Sequence, residues 1–228
     1  MNLIGLLGHA GVGKDTVAAM ILKLAPGRTV ALAEPLKRFC KEVFAFSDEQ
    51  LYGPSAKRNV EDRRYGRYDC EACGDGYAGE REPVRGIAVD DDGCCVSCGV
   101  EAQLVYLTPR FALQLLGTEW GRACYPDVWI DLGVRTARSV IGGGAVVVVI
   151  TDCRFINEAR GVRAAGGVVW RIVRPGSAVS GAIAAHVSEA EQDRQEIQPY
   201  VSRTIVNDGT LVELEAKVVA AVADWRGR

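Results

Sequence analysis

The feature that most constrains this chain is a glycine-rich stretch, Gly8–Thr16, which reads Gly-His-Ala-Gly-Val-Gly-Lys-Asp-Thr. An apolar run over residues 2–7 precedes it, and Val17, Ile21 and Leu24 follow at helical spacing. A strand, a loop with three glycines and a helix in this order are typical of a site where backbone N–H groups surround a phosphate. The G-x-x-x-x-G-K spacing is that of the P-loop, whose lysine reaches the β- and γ-phosphates of a nucleoside triphosphate.

This predicted phosphate loop supplies the first candidate residues. Asp15 stands where the P-loop pattern normally has Ser or Thr, and Thr16 follows it. The alternative is an ordinary glycine turn, but the strand, the spacing and the helix all favour a nucleotide site. The candidate ATP-binding residues are Gly8, Ala10, Gly11, Val12, Gly13, Lys14, Asp15 and Thr16.

Length, charge and hydropathy restrict the class of protein. The 228 residues suffice for one α/β domain with a modest insertion. A net charge of −2 gives no broad electrostatic footprint for nucleic acid. The first residues lack a basic n-region, and no apolar run approaches the roughly 20 residues that span a bilayer. We therefore expect a soluble, cytoplasmic protein with no membrane partner.

Apolar runs alternate with segments of helical periodicity along most of the chain. The pattern predicts a central parallel sheet with helices on both faces, because its longest strand, Ala145–Asp152, is apolar without alternation. The other predicted strands are Asn2–Leu7, Arg28–Ala33, Gly167–Val173 and Arg203–Val206. Helices are expected to begin near Pro35, Pro109, Pro126, Phe155 and Thr210.

Two polar stretches interrupt this rhythm. Ser47–Tyr68 is basic and loses apolar periodicity, which is typical of a mobile arm, and its Arg64 is a candidate phosphate ligand. The alternative is a merely solvated arginine. Ser177–Gln198 is polar as well, and it predicts either a lid over bound nucleotide or a surface loop.

Four of the eight cysteines form two C-x-x-C pairs, Cys70 with Cys73 and Cys95 with Cys98. The absence of a signal peptide argues against disulfides, and the paired spacing predicts a closed, structural Zn²⁺ site with four thiolates. Four unrelated thiols are the alternative, and Cys94 could replace Cys95 as a ligand. We predict a zinc-ribbon insertion over residues 66–108.

Two charged residues follow the longest predicted strand. Asp152 ends the strand at the carboxyl edge of the sheet, where an acid can hold Mg²⁺ through waters, and Arg154 could stabilise a phosphoryl group in transfer. Helix capping is the alternative role of Asp152. Lys37 and Arg38 also follow a strand end, where they meet a second phosphate or form a solvated face.

Taken in order, six short motifs resemble those of the bacteriophage deoxynucleoside monophosphate kinases, of the T-even type. The first is Gly-Val-Gly-Lys-Asp-Thr, in which Lys-Asp-Thr replaces Lys-Ser/Thr as it does in that family. The remaining motifs are Ala33–Lys37, Leu115–Glu119, Thr151–Arg154, Val173–Gly176 and Asn207–Thr210. The resemblance implies a P-loop kinase fold that transfers the γ-phosphoryl group of ATP, with Mg²⁺, to a deoxynucleoside monophosphate.

The resemblance also implies roles for individual residues. Lys14, Asp15, Asp152 and Arg154 would be catalytic, with Thr16 and Asp152 serving Mg²⁺ directly or through water. Arg174 would join the ATP site. The acceptor-site candidates are Glu34, Lys37, Arg38, Arg64, Arg110, Gln114, Thr118 and Trp129; core packing is the alternative for Trp129. A homodimer is possible by the same analogy, whereas the zinc ribbon departs from the family.

Two other functions fit parts of the pattern. A kinase of the dephospho-coenzyme A kinase type would have a similar loop and sheet. A nucleic-acid-binding ATPase with the ribbon as its reader is less consistent with the charges, because the ribbon is acidic and would repel phosphates. Between Cys70 and Cys98 the acids are Glu71, Asp75, Glu80, Glu82, Asp90, Asp91 and Asp92, against Arg81 and Arg85.

Overall fold

The computed structural model describes residues 2–72, 89–176 and 191–226 of the chain. These residues form two compact units. The first comprises the residues up to Pro35 together with those from Gly117 onward, and the second is Leu36–Leu116. The second unit contains the described part of the predicted insertion and, in addition, the basic stretch that precedes it.

A five-stranded, fully parallel sheet forms the centre of the first unit. Its strands are β1 (Leu3–Leu7), β2 (Gly27–Val30), β5 (Val147–Cys153), β6 (Val168–Val173) and β7 (Val201–Val206). They lie in the order β2-β5-β1-β6-β7. The central strands are continuous apolar runs, and all five residues of β1 are buried. The predicted parallel sheet is confirmed, although β2 ends three residues earlier than predicted.

Helices cover both faces of this sheet. On one face, α1 (Lys14–Leu24) and the final helix, α8 (Leu211–Arg226), pack against the side chains of Ile4 and Leu6. On the other face, α6 (Val128–Gly142) and α7 (Ile156–Ala164) pack against Leu3 and Leu7. Alternate residues of one strand thus enter opposite cores, which gives the predicted three-layer α/β arrangement.

The helix starts follow their predicted signals. Thr108 caps α5 (Pro109–Gln114) by accepting a hydrogen bond from the N–H of Phe111. A capping box between Thr210 and Glu213 begins α8. After α5 the backbone continues as a π-helix, Leu115–Arg122, rather than as the regular helix that the periodicity predicts.

The second unit corrects the expectation of a mobile arm. Residues 47–68 form regular structure, namely α3 (Asp48–Tyr52), α4 (Ser55–Arg58) and most of β3 (Asp62–Asp69). β3 pairs with β4 (Gln103–Leu107) in an antiparallel hairpin. Helix α2 (Glu34–Val43), α3, α5 and the hairpin enclose a small core, whose fully or nearly buried members are Cys40, Phe46, Leu51 and Ala112.

Three predicted features fall wholly or partly outside the described residues. These are Cys73 of the predicted zinc site, residues 73–88 of the predicted zinc-ribbon insertion, and residues 177–190 of the possible lid. The rest of the predicted lid forms two short 3₁₀ helices, Glu191–Asp193 and Gln195–Tyr200. Among the described helices, none combines the length and the apolar character that a membrane span requires.

Candidate functional site

The predicted phosphate loop joins β1 to α1 at the carboxyl edge of the sheet. Gly8, Gly11 and Gly13 have φ angles of 152°, 80° and 100°, which residues other than glycine rarely adopt. A Cβ atom on Gly8 would lie 2.4 Å from the carbonyl oxygen of Ile172. The sequence therefore permits a tight backbone curve here, at the N-terminus of a helix, as an anion site requires.

Lys14 lies along this loop. Its Nζ donates hydrogen bonds to the carbonyl oxygens of Gly8, at 2.5 Å, and His9, at 2.7 Å. Asp15 and Thr16 follow in the first turn of α1, and both side chains are exposed. The structure thus brings one ammonium group and two oxygen-bearing side chains to the loop. Their roles in nucleotide binding stay predictions.

Asn207, a residue that sequence reasoning did not select for the site, supports the loop from the end of β7. Its side-chain Nδ2 donates to the carbonyl oxygen of Val12 at 2.9 Å. A Cβ atom on Gly13 would lie 2.8 Å from the same nitrogen. The backbone N–H of Asn207 also donates to the carbonyl oxygen of Val173, the last residue of β6, at 2.7 Å. Asn207 therefore ties the loop to the ends of two neighbouring strands. Arg174 follows on the exposed surface.

Asp152 uses both carboxylate oxygens on backbone groups. Oδ1 accepts from the N–H of Leu32 at 2.7 Å, and Oδ2 accepts from the N–H of Ala33 at 3.0 Å. These two residues lie between β2 and α2. The contact resembles the capping role that was the alternative for this residue. Each carboxylate oxygen keeps a second lone pair, so a water-mediated contact with Mg²⁺ also fits.

The turn from β5 to α7 carries Arg154, whose side chain is partly buried. Beside it, Cys153 is fully buried, and burial raises the pKa of its thiol well above the usual value. This makes Cys153 an inert core residue rather than a nucleophile. Glu158 is the charged neighbour of this turn, and sequence reasoning missed it because α7 alone gives no reason for a buried acid.

Three acceptor-site candidates belong to the first unit. Glu34 is the first residue of α2, and Thr118 lies within the π-helix. Trp129, in the first turn of α6, packs against the core that α6 and α7 form with the sheet. Its Nε1 donates a hydrogen bond to the carbonyl oxygen of Gly117 at 2.8 Å. This arrangement favours the core role that was the alternative for Trp129.

The other five candidates belong to the second unit, where several of them contact nearby residues. Arg64 makes a two-point ion pair with Asp62, with Nε to Oδ1 at 2.9 Å and Nη2 to Oδ2 at 2.7 Å. The hydrogen bonds from Arg64 hold the pKa of Asp62 well below its usual range. Arg110 donates to Asn59 at 2.5 Å.

Lys37 lies 4.6 Å above the centre of the Tyr52 ring. Arg38 is exposed on α2, and Gln114, the last residue of α5, is partly buried. The role of these five residues in binding an acceptor phosphate stays a prediction.

Three of the four predicted zinc ligands lie together. The Sγ atoms of Cys70, Cys95 and Cys98 are all within 4.8 Å of one another, and those of Cys70 and Cys98 are 3.5 Å apart. Among the described residues, this group does not include Cys94. A thiolate site with Zn–S bonds of about 2.3 Å has sulfur atoms about 3.8 Å apart, so the geometry suits a metal ion.

The backbone around Cys95 explains the close approach of two of these thiols. The N–H of Gly99 donates to the carbonyl oxygen of Cys95 at 2.7 Å, and the N–H of Cys95 donates to Val100 at 2.8 Å. Gly99 has a φ of 72°, which lets the chain reverse directly after Cys98. Cys95 and Cys98 therefore lie on the same side of a tight turn.

Comparison with known proteins adds one relative of nearly equal length. No protein family model matches the chain. A protein of Acanthamoeba polyphaga mimivirus named "Putative deoxynucleotide monophosphate kinase" is 28% identical over 231 residues, covering 97% of this chain and 96% of that protein. The similarity is therefore not confined to the phosphate loop.

Two solved structures are also similar. TT1252 from Thermus thermophilus is 15% identical with a TM-score of 0.47, over 97% of this chain and 96% of that one. Dephospho-CoA kinase from Campylobacter jejuni is 12% identical with a TM-score of 0.45, over 98% of this chain and 96% of that one.

Proposed function

We propose that this protein transfers the γ-phosphoryl group of ATP to the 5′-phosphate of a deoxynucleoside monophosphate, giving ADP and a deoxynucleoside diphosphate. The observation that supports ATP as the phosphoryl donor is the position of Lys14. Its side chain lies against a loop that contains three glycines with positive φ, at the N-terminus of α1. The acceptor half rests on the ordered motifs and on the name of the viral relative. Phage origin is part of the motif resemblance only.

The reaction requires the protein to position the two substrates and to neutralise the negative charge of their phosphates. An oxygen of the acceptor phosphate attacks the γ-phosphorus, and the bond from that phosphorus to the oxygen that remains on ADP breaks. Lys14 and the N–H groups of the loop would hold the β- and γ-phosphates, and Arg154 would neutralise charge on the moving group. Thr16 and Asp152 would hold Mg²⁺, which would supply positive charge to neutralise the phosphates.

We also propose that the cysteine group is a structural Zn²⁺ site. Cys70, Cys95 and Cys98 supply three thiolates, and the C-x-x-C spacing makes Cys73, which lies outside the described residues, the fourth. A site closed by four protein ligands has no position for a reacting water, so this ion would serve the fold and not the phosphoryl transfer.

A panel assay tests the proposed reaction. The full-length protein is given ATP and Mg²⁺ with each deoxynucleoside monophosphate in turn, and with dephospho-coenzyme A, while ADP and the phosphorylated product are both measured. We expect turnover with at least one deoxynucleotide and formation of the matching diphosphate. Turnover of dephospho-coenzyme A alone would favour the other kinase function, and ATP hydrolysis without an acceptor would contradict both.

A further inference from the structure

A buried ion pair lies beside the turn that carries Arg154. Glu158, in the first turn of α7, is 3% exposed, and its Oε1 accepts a hydrogen bond from Nη2 of Arg122 at 2.5 Å. Burial raises the pKa of Glu158, and the charge of Arg122 acts in the opposite direction. A buried carboxylate costs free energy unless it is paired and hydrogen-bonded, so the residues that it contacts indicate what it does.

The second oxygen of Glu158 contacts the backbone of the turn itself. Oε2 accepts from the N–H of Arg154 at 2.7 Å and from the N–H of Phe155 at 3.0 Å. These residues connect β5 to α7, and both N–H groups point at the same carboxylate oxygen. Glu158 therefore fixes the backbone of Arg154, directly after the strand that ends in Asp152 and Cys153.

Arg122, in turn, has a fixed orientation. Its Nη1 lies 3.3 Å from the carbonyl oxygen of Pro126 and 3.3 Å from Oδ1 of Asn157. Its guanidinium lies 3.7 Å from the centre of the Phe155 ring, within the range of a cation–π contact. Arg122 therefore binds the carboxylate of Glu158 from one side and covers the turn from the other.

We propose that Glu158, oriented by Arg122, is a positioning residue that sets where the side chain of Arg154 leaves the edge of the sheet. This inference rests on the proposed function, in which Arg154 neutralises the phosphoryl group in transfer. Neither Glu158 nor Arg122 is required to touch a nucleotide. They act through the backbone of residues 154 and 155.

Replacement of Glu158 by glutamine separates its two contacts. The amide oxygen of glutamine can accept from the N–H groups of Arg154 and Phe155, but its NH₂ group then faces the guanidinium of Arg122 as a second donor. The variant cannot satisfy both partners, so we expect the turn to shift. A displacement of about 1 Å at a catalytic group is enough to cost about 10²-fold in rate.

Steady-state kinetics provide the first test. We expect Glu158→Gln and Arg122→Met to lower kcat by roughly 10- to 100-fold, while the KM for ATP, which depends on the proposed phosphate loop after β1, changes little. Arg122→Lys retains the positive charge and should keep more of the rate. The control is Asp224→Asn, which breaks an exposed ion pair with Arg203 on the same unit and should leave kcat unchanged.

A double-variant cycle distinguishes positioning from general support of the fold. If Glu158 acts through Arg154, then Glu158→Gln should lower kcat little further when Arg154 is already alanine. Effects that multiply in the double variant would overturn the proposal. Thermal unfolding of each variant shows whether the protein remains folded.

Amide hydrogen exchange gives a readout that does not depend on turnover. In the wild-type protein the N–H groups of Arg154 and Phe155 should exchange slowly, and Glu158→Ala, which removes the oxygen that accepts from both, should speed both. Unchanged exchange would overturn the proposal even if the kinase reaction is confirmed. If the wild-type protein phosphorylates no deoxynucleotide, the proposed function fails, while the exchange rates still decide whether Glu158 fixes this turn.

Discussion

The phosphate loop and the cysteine group were both visible in the sequence by their spacing, but the protein supports them differently. The loop lies between a strand whose five residues are all buried and a helix that packs on the same core. The cysteine group lies in a segment with little core: within the described residues 89–102, Cys95 alone is buried. A loop held by the surrounding protein should keep its shape without ligand, whereas a thiol group with so little packing should depend on its metal.

This contrast predicts opposite responses to the loss of a ligand. Removing Lys14, the proposed phosphate ligand, should abolish activity and leave the fold unchanged. Removing a thiolate should disturb the local fold, with activity affected only as a consequence.

The largest expected effect is that of Lys14→Ala. Nζ of Lys14 lies against the carbonyl oxygens of the loop, where it would reach the phosphates of ATP, so its loss should lower phosphoryl transfer by about 10³-fold with little change in the unfolding temperature. The measurement is the panel assay together with circular dichroism. Lys23→Ala, an exposed lysine in the last turn of the same helix, is the matched control and should retain full activity. Activity retained in Lys14→Ala would contradict the loop assignment.

The next effect concerns metal content. Native mass spectrometry of the wild-type protein should show about one zinc ion per chain, the number expected for a four-thiolate site. Cys95→Ser should lose the ion and lower the unfolding temperature, because the side chain of Cys95, a proposed ligand, is fully buried. Cys94→Ser, one residue away, should retain both. Loss of zinc from Cys94→Ser but not from Cys95→Ser would show that the two residues have the opposite roles.

The sequence predicted the parts of the molecule whose physical causes are local. Glycines at fixed spacing are needed where the backbone takes positive φ, and continuous apolar runs are needed in strands that are buried on both faces. The phosphate loop, the parallel sheet and the starts of α5 and α8 follow from such causes. The adjacency of Cys95 and Cys98 also follows from one tight turn.

The parts that the sequence did not predict depend on partners far away in the chain. Asp152 contacts N–H groups that lie 119 and 120 residues earlier, and Glu158 contacts an arginine 36 residues earlier. The apolar periodicity of the sequence does not predict contacts between residues so far apart in the chain. The error over residues 47–68 had a local signal, however, because Ser47 and Gln50 form a capping box whose S-x-x-Q spacing is readable in the sequence.

A smaller effect tests whether the core really shapes the loop. In Gly8→Ala the new Cβ would lie 2.4 Å from the carbonyl oxygen of Ile172, so the loop or β6 must move, at a cost of about 1–3 kcal/mol. Gly176→Ala is the control, since Gly176 also has positive φ, at 77°, but has no atom within 4 Å of the position of a Cβ. Denaturant unfolding should show a greater loss of stability for Gly8→Ala than for Gly176→Ala. Equal losses would mean that backbone strain, and not contact with the core, determines the loop.

The smallest expected effect concerns the base of the hairpin that carries Cys70, where an ion pair gives support that does not depend on metal. Asp62 is 8% exposed, and it accepts hydrogen bonds from Arg64 and from Nε2 of Gln50 at 3.1 Å. Because its pKa is lower in the folded protein than in the unfolded chain, Asp62 stabilises the fold above the ordinary aspartate pKa of about 4, and this stabilisation is lost as the pH falls further.

Asp62→Asn should therefore unfold a few degrees below the wild-type protein at pH 7, by about 2–4 °C, and the difference should shrink as the pH falls below about 4. Thermal unfolding between pH 3 and pH 7, with chelator in every sample, measures this without a contribution from zinc. Asp48→Asn is the control, because the Asp48–Lys41 pair is exposed and should give little difference at any pH. A difference between Asp62→Asn and wild type that is the same at pH 3 and pH 7 would show that the charge of Asp62 does not support the hairpin.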